Sequence, residues 1–258
     1  MCPYAGSLVG GTLVVHALLV ETSDGLVLVD TGMGLDDVRA PRQRLGTGFV
    51  AASRPRLREE DTAARQVERL GFSRSDVRDV VVTHLDVDHA GGIPDFPGAS
   101  IHVHARERDA ALRPATINEK HRYRQVHFAH GPRWEVHAES GDRWMGFESV
   151  KAVADDVLLV PLHGHTRGHS AVAVRAPSGT DVDWYLHCGD AYFNHGELTD
   201  PRTCPPGLRA FQRVVAVDDE TRRANARRLR ELHAREEGRR VRFFSAHCPT
   251  EYARAIAS

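Results

Sequence analysis

The sequence predicts an α+β protein in which two β-sheets pack together with helices on their outer faces. Three observations carry that expectation. The runs VVVTH (80–84), VLLVPL (157–162) and AVAVRA (171–176) are mostly continuous apolar rather than alternating, the pattern of strands covered on both faces. Such runs occur both as a hairpin and as strand–helix units, which two layered sheets accommodate. The chain has 258 residues, 41% of them apolar and 27% charged, enough to bury a sizeable core.

Taken in order, Thr12 to Val20 and Leu26 to Asp30 flank the turn signal ETSDG and read as a hairpin. The second of these strands runs into Asp30-Thr31-Gly32, a sharp exit. Over 61–71 the residues Ala64, Val67 and Leu70 share one helical face, with Gly71 at the stop position. VVVTH follows, then the short strand IHVH (101–104). From about 105 to 150 the pattern breaks up, and HRYRQVHFAHGPRWEVH is expected to be irregular. Strands resume at 157–162, 171–176 and DWYLHCGD (183–190), and a Pro-, Gly- and Cys-containing connection covers 192–217. A helix is expected over about 218–237, with Asp218, Asp219 and Glu220 at its positive end and Gly238 at its stop. VRFFSAH (241–247) is the last strand. No repeat and no long linker interrupts the chain, so a single domain over 1–258 is expected, with 105–150 and 192–217 as cap or pocket segments.

Acidic residues (35) and basic residues (34) nearly cancel, so no overall field directs the protein to nucleic acid or to an anionic membrane. The one basic track, RRANARRLRELHAREEGRRVR, places Ala226, Leu229 and Leu232 on one face and reads as an amphipathic surface helix. MCPYAGSLVGG lacks the charge and apolar pattern of a secretory leader, and Leu8 to Val20 is too short to span a bilayer. Cys2, Cys188, Cys204 and Cys248 fall at irregular spacing without a CxxC pair, so no disulfide framework is expected. These features point to a cytoplasmic protein with free thiols.

Histidine is the outlier, with sixteen residues, and the chemistry gathers at four strand ends. THLDVDHAGG (83–92) sets His84, Asp86, Asp88 and His89 behind a run of valines. On an extended chain His84 and Asp86 point the same way, and Ala90-Gly91-Gly92 lets the backbone pass close to whatever they hold. Two imidazoles and two carboxylates are costly to bury unpaired. A divalent metal removes that cost, and the donors suit zinc, iron or manganese. HGHTRGHS (163–170) adds His163, His165 and His169, DWYLHCGD ends in Asp190, and FFSAH ends in His247.

The ordered set, a strand ending in DTG, then THLDVDHAGG, GHTRGH, GD and a late strand-end histidine, resembles the metallo-β-lactamase-fold hydrolases. It spans residues 30–247. The resemblance implies an αββα sandwich of two mixed sheets with a dinuclear metal site at one edge. In it His84, Asp86 and His165 would hold one ion, Asp88, His89 and His247 the other, and Asp190 would bridge them. Asp30 and His169 would support the ligands from behind, since ligating imidazoles need orienting partners. The implied cofactors are two divalent ions, zinc first. Most relatives have histidine at the position of Asp86, and the carboxylate there admits iron or manganese as alternatives. The implied chemistry is hydrolysis of an ester-like carbonyl by a metal-bridging hydroxide, with Asp88 and Asp190 as the catalytic carboxylates.

The layout is nearest to the N-acyl-homoserine lactonases, so a lactone is the leading substrate class. Those enzymes carry tyrosine three residues after the bridging Asp, where this chain has Phe193, with Tyr192 one step earlier. Tyr192, Phe193 and Tyr123 are candidate substrate-binding residues, among aromatics (Phe128, Trp134, Trp144) that serve equally as core. Arg122, Arg124 and Arg133 read as a solvated face, and His121, His127, His130 and His137 receive no role. Cys188 and Cys248 read as buried inert thiols. A thioester hydrolase of the glyoxalase II kind and an iron-binding oxidoreductase-like member of the fold are the alternative readings. The former shares the motif; the latter follows from Asp86, since the flavodiiron oxygen reductases have Glu there. A small-molecule substrate is the expected partner, with no nucleic acid and no membrane, and homodimer formation is left open.

Overall fold

In the computed structural model the chain divides into two compact units, Met1–Val136 and His137–Ser258. The structure describes residues 4–5, 12–138, 141–153 and 155–257. Cys2 and most of MCPYAGSLVGG lie outside them. Strand β1 (Tyr4–Ala5) pairs with β2 (Thr12–Leu13) antiparallel.

The first unit is built on a five-stranded sheet in the order β3-β4-β5-β6-β7. These strands are β3 (Leu18–Thr22), β4 (Gly25–Val29), β5 (Val77–Val81), β6 (Ser100–His104) and β7 (Arg133–His137). The β3–β4 hairpin is antiparallel, whereas β4–β5 and β5–β6 are parallel. Gly25 makes the hairpin turn at φ 133°, where an added Cβ would meet the Asp76 carbonyl at 2.9 Å. Leu28, Val80 and Ile101 from the sheet pack with Ala64 and Val67 of the helix Ala63–Arg69. That helix begins at Thr62, whose Oγ1 accepts the Arg65 amide, a side-chain cap on an otherwise orphan donor.

The second unit is built on a six-stranded sheet in the order β13-β12-β11-β10-β9-β8. Its strands are β8 (Asp142–Trp144), β9 (Phe147–Val153), β10 (Val157–Pro161), β11 (Ser170–Arg175), β12 (Trp184–His187) and β13 (Val241–Phe244). All neighbours are antiparallel except β12–β13. Every residue of β10 is buried, as its unbroken apolar run requires. Leu229 and Leu232 of the helix Asp219–Ala234 pack in the same cluster as Leu186 and Phe243. Both sheets are mixed and both carry helices, so the α+β class expected from the sequence is the one observed.

Three expectations need correction. The stretch 105–150 is largely regular: helices Ala105–Leu112 and Ile117–Arg122 precede β7, β8 and β9. These helices lack a strong apolar stripe for periodicity to find, yet the second has its cap written in the sequence. Thr116 Oγ1 accepts the Glu119 amide while Glu119 Oε2 accepts the Thr116 amide, a reciprocal capping box. The connection 192–217 likewise contains the helix Pro206–Val215, which opens on the one residue whose missing N–H costs nothing there. Strand ends also fall early. The ladder stops at Val81 and at Phe244, so Thr83, His84 and His247 stand on the exits rather than in the sheets.

Candidate functional site

The donors of the first unit stand on the exit from β5. His84 and Asp86 precede the one-turn helix Val87–Ala90, which carries Asp88 and His89, and Asp86 is its extended N-cap residue. Asp30, at the exit of β4, adopts φ 54° and is fully buried. This left-handed conformation is costly for most residues and least so for Asp, Asn and Gly. It points the carboxylate across the parallel β4–β5 pair. Asp30 Oδ1 accepts the Thr83 amide at 2.7 Å, and Oδ2 accepts the Thr83 hydroxyl at 2.8 Å. His89 Nδ1 donates to the same Oδ2 at 2.9 Å. Because the Thr83 hydroxyl gives its proton to Asp30, its oxygen is the acceptor for His84 Nδ1 at 3.0 Å. The network therefore places a proton on Nδ1 of each ring and leaves Nε2 as the nitrogen that could meet a metal.

Those Nε2 atoms face carboxylates: His84 Nε2 lies 3.5 Å from Asp86 Oδ2, and His89 Nε2 lies 3.8 Å from Asp88 Oδ2. The two rings are 3.9 Å apart, centroid to centroid. The DTG exit is stitched to this loop by Thr31, whose amide and hydroxyl both donate to the His89 carbonyl at 2.8 Å. Gly91 permits the close approach, since a Cβ there would fall 2.5 Å from the Val87 carbonyl and 2.2 Å from Asp37 Oδ2.

The donors of the second unit stand on three further exits. Asp190 follows β12, and its Oδ2 lies 3.3 Å from His165 Nε2 while its Oδ1 lies 3.1 Å from His247 Nε2. His169 holds Asp190 from behind: the Asp190 amide donates to His169 Nε2 at 2.9 Å, and His169 Nδ1 donates to the Leu162 carbonyl at 2.9 Å. With both ring nitrogens so engaged, His169 is fixed as a neutral supporting imidazole, and His165 is the one turned toward Asp190. The turn bearing His165 is clamped to the start of the long helix. Asp218 N donates to the Gly164 carbonyl, Val217 N to the His165 carbonyl and Asn225 Nδ2 to the His163 carbonyl, at 2.8, 3.0 and 2.8 Å. His247 is set by Glu251, whose Oε2 accepts the Ser245 amide at 2.8 Å, and by Ser245 Oγ, which accepts the His247 amide at 3.0 Å. Burial pushes the Glu251 carboxyl up to about 7.

Both donor sets fit a metal. Two ligands each about 2.0–2.2 Å from a tetrahedral zinc-like ion sit roughly 3.4 Å apart. The imidazole–carboxylate separations of 3.5, 3.8, 3.3 and 3.1 Å bracket that value. The donors are nitrogen and oxygen only, in keeping with a borderline or hard divalent ion.

The remaining candidates divide between the cores and the neighbourhood of the donors. Tyr123 is almost wholly buried in the first core, and its hydroxyl donates to Glu107 Oε1 at 3.1 Å. Tyr192 is buried in the second core, with its hydroxyl on Glu251 Oε1 at 2.9 Å. Phe193 packs its ring 4.6 Å from that of His247 and 6.4 Å from that of His165. Burial raises the Cys188 and Cys248 thiols well away from thiolate. Arg122 departs from the solvated face expected of it: its side chain is 15% exposed and its Nε lies 3.4 Å from Asp86 Oδ1. Glu107, fully buried, accepts the Leu85 amide at 3.0 Å and so holds the loop between His84 and Asp86. Nothing in the local sequence marks Glu107 or Arg122, because each acts on a loop more than twenty residues earlier.

The metallo-β-lactamase superfamily model matches residues 10–236, across both units. The chain belongs to that superfamily and is a metal-dependent hydrolase. It is 45% identical over 229 residues to a probable metallo-hydrolase of Mycobacterium tuberculosis, covering 88% of this chain and 72% of that protein. It is also 30% identical over 170 residues to an N-acyl homoserine lactonase of Bacillus thuringiensis, covering 66% and 62%. Among solved structures, an N-acyl homoserine lactone hydrolase with N-hexanoyl-L-homoserine at its catalytic metal centre aligns with a TM-score of 0.71 at 23% identity, covering 98% and 92%. The dizinc quorum-quenching lactonase AidC aligns at 0.62 and 19%, covering 93% and 74%. No helix among the described residues is long and apolar enough to cross a membrane.

Proposed function

We propose that this protein hydrolyses a lactone of the acyl-homoserine type with two divalent metal ions, zinc in the first instance. The observation that carries the reading is the matched spacing of the two donor sets, each an imidazole Nε2 facing a carboxylate at metal-bridging separation. As the resemblance implies, His84, Asp86 and His165 would hold one ion, Asp88, His89 and His247 would hold the other, and Asp190 would be shared between them. The lactonase likeness supports the substrate class. Bound there, the ions supply a water of lowered pKa and a Lewis acid for the carbonyl oxygen.

The chain's own residues do the rest. Asp30, Thr83 and His169 hold the ligating imidazoles and Asp190 in one orientation, so little reorganisation accompanies the reaction. Asp88, with a side chain 15% exposed beside buried His89, is the carboxylate we assign to carry the proton to the leaving oxygen. Water adds across the ester C–O bond, leaving a carboxylic acid and an alcohol on one opened chain. Position 193 is Phe and the Tyr192 hydroxyl donates to Glu251 Oε1, so neither position offers the substrate a tyrosine hydroxyl.

The test is elemental analysis of protein purified without added metal, paired with turnover of acyl-homoserine lactones, S-lactoylglutathione and β-lactams. Two equivalents of metal and lactone opening are expected. Preference for the thioester would move the assignment to the glyoxalase II class, and iron or manganese in place of zinc would redefine the cofactor. Asp190→Ala should lose at least one equivalent of metal and all turnover; a fully loaded, active Asp190→Ala protein would sink the reading.

A further inference from the structure

We propose that Arg122 is the positioning residue of Asp86, making that aspartate a ligand through one oxygen and restoring the charge of the imidazole it replaces; this rests on the metal-site reading above. Asp86 stands at the N-cap position of Val87–Ala90, yet its side chain makes no cap hydrogen bond. Its two oxygens instead face different neighbours. Oδ2 lies 3.5 Å from His84 Nε2, the ligand-facing side, and Oδ1 lies 3.4 Å from Arg122 Nε. Both the Asp86 and Arg122 side chains are 15% exposed, so the pair sits largely out of water, where a guanidinium holds a carboxylate more firmly than at the surface.

The same piece of chain sets both partners. Arg122 is the last residue of the helix Ile117–Arg122. Its neighbour Tyr123 is buried and donates to Glu107, and Glu107 accepts the Leu85 amide next to Asp86. One buried link, Tyr123 to Glu107 to Leu85, thus fixes the end of the helix and the Asp86 loop against each other. A carboxylate in place of a neutral imidazole adds one negative charge to the donor set, and Arg122 supplies the opposite charge at the far oxygen. With the Arg122 charge beside Oδ1, Oδ2 is the oxygen set toward His84 Nε2, so Asp86 would offer one atom as an imidazole offers one nitrogen.

The experiment compares Arg122→Leu, Arg122→Gln and Arg122→Lys, in the wild-type chain and in an Asp86→His background. Stepwise affinity for Zn2+ is read by chelator competition, and the ligand field by Co2+ absorption. In the wild-type chain Arg122→Leu and Arg122→Gln should weaken one of the two ions by about 10–100-fold and change the Co2+ spectrum, with Arg122→Lys recovering part of the loss. In the Asp86→His chain the loss should vanish. Apo-protein melting separates a packing defect, which would appear equally in both backgrounds, and Arg122→Lys and Arg122→Gln carry the test where Arg122→Leu fails to fold. Unchanged affinity and spectrum in the variants, or an equal loss in both backgrounds, would overturn the inference while leaving the dinuclear reading intact. A wild-type protein that binds no metal would instead overturn the reading on which it rests.

Discussion

A single carboxylate, Asp30, organises the first donor set. It accepts hydrogen bonds from the Thr83 amide, the Thr83 hydroxyl and His89 Nδ1. Asn tolerates the left-handed backbone but has only one oxygen, and its amide would oppose one of those donors. Asp30→Asn should keep the fold and weaken metal binding about 10–100-fold, measured by chelator competition with circular dichroism as the control. Asp95 offers a contrasting case. Burial raises its carboxyl from 3.8 to about 6 although Oδ2 accepts the Leu35 amide. The folded state therefore holds the proton more tightly than the unfolded one, so stability falls as pH rises from about 4 through about 6. The full cost is about 3 kcal/mol. Asp95→Asn retains an acceptor for Leu35 without the charge. Denaturant midpoints of variant and wild type should agree near pH 4 and separate above pH 6, the variant being the more stable.

Among the elements, the turn 163–165 and the long helix behave as one piece. Gly164 has φ 131°, and a Cβ there would lie 2.3 Å from the Arg222 amide nitrogen. Gly164→Ala combines backbone strain with a clash against helix backbone that cannot swing away, a cost of about 2–4 kcal/mol. Its unfolding midpoint should drop accordingly, and an undiminished midpoint would show that the clamp is not needed. The elements also show where the sequence was legible. β10 and the helix Asp219–Ala234 announced themselves through an unbroken apolar run and through Ala226, Leu229 and Leu232 on one face. The helices after β6 did not, because an amphipathic period is weak there and only the Thr116–Glu119 box marks the start of one of them. Exits such as Thr83-His84 look like strand in the sequence because valine runs do not declare where their ladder partner ends.

At the scale of the whole molecule, the donor residues could be picked out as motifs because each is local: a few residues on one exit. Of their supports, Asp30 and His169 came only through the resemblance, and Glu107 came from nothing in the sequence, because it reaches the Leu85 amide across 22 residues. Spacing along a chain carries no record of such long pairings. The parallel β4–β5 register has a kinetic consequence. No hairpin can preform it, so closing that long loop must precede the Asp30 contacts, and long-range parallel pairing is slow. A donor set assembled this late offers an ion little to grip before the main barrier is crossed. Zinc in the refolding buffer should therefore leave the folding rate nearly unchanged and slow unfolding instead. Stopped-flow chevrons with and without zinc would show the unfolding arm displaced and the refolding arm superimposed. The metal would then govern how long the native protein lasts rather than how quickly it forms.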